Sequence, residues 1–95
     1  MVDLRRLKEL VQQGRADVII GKRGVNEGVI SEIKRRLKEK GVIKVRVLKS
    51  AIKVTGMDRK TLAKYVANKV GAMLLDVRGR TFVLFSPQYY RGEKA

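Results

Sequence analysis

The residues of this chain best suited to chemistry are two cations held between two glycines, Gly21-Lys22-Arg23-Gly24. The apolar run Val18-Ile19-Ile20 precedes them, and a helix-like segment from Asn26 to Lys40 follows. A strand that ends in such a loop and opens into a helix can receive an anion. Glycine permits positive φ and lets a ligand approach the backbone closely. Unpaired N–H groups and the positive end of the helix dipole favour negative charge at the helix start. Lys22 and Arg23 sit at the tip, where they can meet a phosphate. Taken alone, the four residues also fit a plain strand-to-helix turn with two solvated cations, because short glycine motifs arise by chance.

The whole chain favours the anion reading. Its 95 residues suit one domain with a single core, and 44% hydrophobic content is too high for a disordered segment. Lys and Arg number 23 against 9 Asp and Glu, a formal charge of +14. A domain this basic is expected to bind a polyanion, with nucleic acid first and an anionic membrane surface second. No apolar run approaches the ~20 residues of a spanning helix. The N-terminus turns amphipathic at once, without the apolar stretch of a secretory signal, so a cytoplasmic location is expected. Cysteine and histidine are both absent. Disulfides, thiolate zinc sites and the usual general base near neutral pH are thereby excluded. Ser31, Ser50 and Ser86 have no histidine to activate them, and residues 21–24 lack the length and the Lys-Ser/Thr ending of a nucleotide-binding P-loop. No enzyme activity, cofactor, metal or small-molecule substrate is expected.

The elements that must position the loop follow from pattern and punctuation. Asp3 caps a helix over residues 3–13, with Leu4, Leu7, Leu10 and Val11 on one face and Gly14 at its end. Residues 16–20 read as a strand, and its three consecutive apolar residues predict burial on both faces or a place in the sheet interior. Asn26 caps the next helix, which runs to about Lys40 and stops at Gly41; Val29, Ile30, Ile33 and Leu37 form its core stripe. Lys34, Arg35 and Lys38 project from one flank, and Glu32–Arg36 is an ordinary i,i+4 surface pair. Residues 42–48 alternate, with Ile43, Val45 and Val47 facing inward and Lys44 and Arg46 on a wet, positive face. Residues 49–57 read as a connection. Asp58 caps a helix over 59–70 that ends at Gly71, with Leu62, Tyr65, Val66 and Val70 as its buried stripe. Residues 72–78 and 80–86 form a hairpin in which Met73, Leu75 and Val77 share a face. Phe82 to Phe85 are apolar on both faces, as in an interior strand. The order is α-β-α-β-α-β-β, an α+β fold in which helices cover one face of a mixed four-stranded sheet in two layers. Residues 1–87 make the domain. Residues 88–95 read as a short flexible tail whose Tyr89 and Tyr90 could stack on unpaired bases.

The stretches Val18 to Gly24, Asn26 to Ile33, Ile43 to Val47 and Gly79 to Pro87, with Leu37 and Gly71, resemble in order and spacing the YhbY-like proteins, the stand-alone form of the CRM (chloroplast RNA splicing and ribosome maturation) domain. The resemblance covers residues 4–87. It implies an RNA-binding domain similar in fold to the C-terminal domain of translation initiation factor three. The family loop has the form Gly-x-x-Gly, often with lysine second, and Gly21, Lys22 and Gly24 match it. Stand-alone bacterial members associate with precursors of the large ribosomal subunit, whereas plant members with several copies act in intron splicing. One copy with a short tail fits the ribosomal role better.

The reading that follows is a ribosome assembly factor that binds large-subunit rRNA or its precursor. Lys22 and Arg23 would contact phosphate while Gly21 and Gly24 allow close approach, and Lys34, Arg35, Lys38, Lys44 and Arg46 would extend the track. Such contacts give affinity but little sequence information. The alternative is an architectural protein that coats DNA through backbone phosphates, although no obvious apolar wedge for kinking a duplex is present.

Overall fold

The computed structural model describes residues 3–92. Its elements are α1 (Leu4–Gln13), β1 (Val18–Ile20), α2 (Glu27–Lys40), β2 (Val42–Val47), α3 (Lys49–Thr55), α4 (Arg59–Val70), β3 (Met73–Arg78) and β4 (Thr81–Phe85). The fold is α+β with a mixed four-stranded sheet, as the sequence predicts. The predicted caps all form. Asp3 accepts from the N–H groups of Arg5 and Arg6, Asn26 from that of Val29, and Asp58 from that of Thr61. Each side chain satisfies backbone donors that the first helical turn leaves open.

The strands lie in the order β1-β2-β4-β3. β1 pairs with β2 in parallel, joined by the α2 crossover, and β4 inserts between β2 and β3, antiparallel to both. The interior place of β4 explains its unbroken apolar run. Phe82 and Leu84 enter the main core with Ile20, Ile33, Ile43, Val45, Leu62 and Val66, while Val83 and Phe85 enter a second cluster on the other face.

Four expectations are corrected. First, α2, α3 and α4 share one face of the sheet, but α1 packs on the other, where Leu7 meets Val42, Val83 and Phe85. Lys44 and Arg46 share that face; Lys44 is partly covered beside the end of α1, whereas Arg46 stays exposed as expected. Second, β1 is an edge strand, and α1 does not reach over it. Ile19 is 56% exposed between the buried Val18 and Ile20, so the strand alternates instead of being buried on both faces. Third, residues 49–55 are a helix, α3. Its N-cap position, Leu48, makes no side-chain capping bond, and the seven-residue helix carries three β-branched residues, so it lacks the usual start signal and propensity. Fourth, a bulge between Leu74 and Asp76 breaks the alternation of β3. Leu74 and Val77 join the main core while Leu75 joins the α1 cluster, because the extra residue shifts the side-chain phase.

Two smaller differences bear on function. Tyr65 lies at the exposed edge of α4, with the Lys69 ammonium 5.7 Å from its ring centre, and is not part of the buried stripe. Residues 88–90 are held against the domain, not loose. The N–H groups of Tyr89 and Tyr90 donate to the Ser86 carbonyl, and the Tyr90 ring packs on Phe85 at 5.3 Å. The last three residues of the expected tail, 93–95, lie outside the described residues.

Candidate nucleic-acid interface

The glycine loop is a tight turn in which the Gly24 N–H donates to the Gly21 carbonyl at 2.9 Å. Lys22 and Arg23 occupy the two central positions, both exposed. Gly24 has φ +67°, a left-handed conformation that is costly for any residue with a Cβ, whereas Gly21 has no positive φ. Gly24 is buried against α3. A Cβ placed there would lie 3.5 Å from the Val54 and Thr55 side chains. Gly21 faces Leu48 in the same way. The helix that sequence reading missed is therefore the support on which the loop rests. It also brings Lys49 and Lys53, one helical turn apart and exposed, to the loop end of the molecule. The weak signal for α3 was Ala51 and Ile52 packing ahead of a terminating Gly56.

The local electrostatics leave the loop cations available. The groove beside the loop, about 630 Å³, is also lined by Asp17 and Glu32. Both carboxylates are already engaged. Asp17 accepts from the Lys40 ammonium at 2.6 Å and from the Lys44 N–H at 2.9 Å. Glu32 accepts from Arg35 at 2.7 Å and from Arg36 at 3.2 Å, the hydrogen bond to Arg35 doing most to hold its carboxyl below the usual range. Among the described residues, Lys22 and Arg23 form no ion pair. The start of α2 is less open than expected, since Asn26 takes the Val29 N–H and Glu27 places a carboxylate in the first turn. What this end offers an anion is side-chain charge more than the helix dipole.

The other expected contact residues do not form one track. Arg35 is shared between Glu32 and Glu39, and the Glu32 carboxylate raises its pKa. Lys44 donates to the carbonyls of Gln12 at 2.6 Å and Gly14 at 3.0 Å, so it caps the open C-terminal end of α1. Arg46 is exposed beside Ile19 on the part of the sheet that α1 leaves bare. Lys34 and Lys38 lie on α2, with the sheet between them and Arg46. Thus Gly21, Lys22, Arg23 and Gly24 come together, Lys34 and Lys38 form a separate pair, and Lys44 belongs to the fold.

Comparison with known proteins agrees with this architecture. The CRS1 / YhbY (CRM) domain profile matches residues 2–86, and the chain belongs to that family. A Methanocaldococcus jannaschii protein named "Probable RNA-binding protein MJ0652" is 39% identical over 71 residues, which is 75% of this chain and 51% of that protein. The chain thus spans about half the length of that curated relative. The solution structure of the hypothetical protein SAV1595 from Staphylococcus aureus superposes with a TM-score of 0.74 at 26% identity, covering 94% of this chain and 88% of that one. Among the described residues, no helix is long and apolar enough to cross a membrane.

Proposed function

We propose that this protein binds structured RNA without catalysing a reaction, and that its target is large-subunit rRNA or its precursor during ribosome assembly in the cytoplasm. The observation that carries the reading is the Lys22-Arg23 turn. It is exposed, it forms no ion pair among the described residues, and it is held in shape by Gly24 against α3. Lys49 and Lys53 on that supporting helix widen the positive end. A formal charge of +14 supplies the long-range attraction to a polyanion. The naming of the Methanocaldococcus relative supports RNA as the polyanion, and the resemblance to stand-alone CRM proteins supports the ribosomal precursor.

Ultraviolet crosslinking in cells, followed by sequencing of the attached nucleic acid, tests this directly. Reads concentrated on a few large-subunit rRNA segments, with uncleaved precursor enriched, are expected. Recovery mainly of chromosomal DNA, or of RNA without any ribosomal concentration, would overturn the assignment.

A further inference from the structure

A second groove lies along α2, beyond the helix start that the glycine loop adjoins. Residues 31–38 of α2, the end of α4 and the turn after β4 enclose about 620 Å³ of open space, within the range of small-ligand sites. Lys34 and Lys38 stand on one wall, one helical turn apart, and neither forms an ion pair among the described residues. Leu37 and Val70 contribute apolar surface, and Gln88 and Tyr89 form the facing wall. Ser31 and Arg35, the latter engaged by Glu32 and Glu39, complete the α2 wall.

The facing wall is held in place on both sides of Tyr89. Before it, the Ser86 N–H donates to the Gly41 carbonyl at 2.7 Å, and the Ser86 carbonyl accepts from the Tyr89 N–H at 3.1 Å. After it, the Tyr90 ring is tilted against Phe85, and the Tyr90 backbone sits directly on Gly41. A Cβ at Gly41 would collide with the N and Cα of Tyr90. The backbone is therefore held on both sides of Tyr89.

We infer that this groove takes one unpaired nucleotide of the bound RNA, with its base against the Tyr89 ring and its phosphate on Lys34 and Lys38. The inference rests on the RNA-binding reading above and adds a preference for a structural feature of the RNA. Stacking accepts any base but requires an exposed base face, which a continuous duplex does not offer. The Gln88 amide can both donate to and accept from a base edge. Lys34 and Lys38 stand roughly 10 and 16 Å along the helix axis from the start of α2 beside the glycine loop, so the two sites engage different nucleotides of one RNA.

The test compares an RNA duplex with the same duplex carrying one bulged adenosine, using the full chain and fluorescence anisotropy at fixed salt. The parent is expected to prefer the bulged duplex. Tyr89→Ala should lose roughly tenfold on the bulged RNA, the order of one stacked base, and bind the plain duplex as the parent does. Tyr89→Phe should keep the preference. Unchanged affinity for the plain duplex also reports that Tyr89→Ala is folded. If it does not fold, Lys34→Gln with Lys38→Gln, both exposed positions, should reduce the preference instead. A parent that binds both RNAs equally, or a Tyr89→Ala variant that keeps the preference, overturns the groove assignment and leaves the loop reading intact. A parent that binds neither RNA overturns both.

Discussion

Gly24 and Gly41 flank α2 at its two ends, and both adopt left-handed backbone, with φ +67° and +78°. Their surroundings differ. Gly24 faces the ends of two side chains, Val54 and Thr55, at ordinary contact distance. Gly41 faces the backbone of Tyr90, with no room for even a methyl group. The loop end is thus a charged turn resting on side chains that can shift. The groove end is a backbone-on-backbone contact that fixes the shape of an aromatic wall. On the proposed readings, the first site offers charge to any phosphate and the second a surface to an unpaired base.

Substitution at the two glycines should separate the ends most clearly. Gly41→Ala combines left-handed strain with a collision and is expected to cost about 2–4 kcal/mol. Gly24→Ala bears the strain alone, about 1–2 kcal/mol. Urea denaturation of both variants measures the difference, and equal costs would show that the Tyr90 backbone yields freely. A smaller effect distinguishes fold from contact. Lys44→Met removes the donor that caps α1 and should lower stability by about 1–2 kcal/mol, while the dependence of RNA affinity on salt stays as in the parent. A reduced salt slope in Lys44→Met would return that lysine to the contact surface.

The loop's own geometry should respond more modestly. Asn26→Ala deletes the cap on the Val29 N–H and should cost about 1 kcal/mol, read by thermal melting. The smallest expected effect is on pH. The Arg78 hydrogen bond lowers the pKa of Glu9, bonds from Arg35 and Arg36 lower that of Glu32, and the Thr61 N–H lowers that of Asp58. Their contribution is fully present above the ordinary carboxylate range and is lost as pH falls through the lowered values. These groups are exposed, so the melting temperature should change little from neutral pH until the acid side of that range, then fall. A marked loss of stability on raising pH from neutral to 9 would contradict this assignment.

Legibility in the sequence follows the strength of local signals. Helices α1, α2 and α4 announce themselves by a capping Asp or Asn and a terminal glycine, and β4 by a four-residue apolar run, longer than the run that misled at β1. The glycine loop is legible because residue type and position coincide. What escaped had a tertiary cause. Helix α3 has no side-chain cap; what ties it to the domain is Ala51, fully buried in the main core, with Ile52 packed against it. The exposure of Ile19 depends on how far α1 extends across the sheet, and the phase of β3 depends on a bulge at Leu75, neither of which periodicity reveals. The charge pattern made Lys34, Arg35, Lys38, Lys44 and Arg46 look equivalent. Only the packing shows that Lys44 caps a helix, that Arg35 is held by two glutamates, and that Lys34 and Lys38 face a groove with Tyr89.

The proposed function stands on Lys22 and Arg23, presented by the Gly24 turn on α3, holding phosphate. The most direct measurement is RNA affinity across a salt titration for the parent and for Lys22→Ala with Arg23→Ala. Log affinity should fall with log salt in both, with a slope about 2 shallower in the variant, or about 1 for each lost phosphate contact. Superimposable titrations of parent and variant would contradict it.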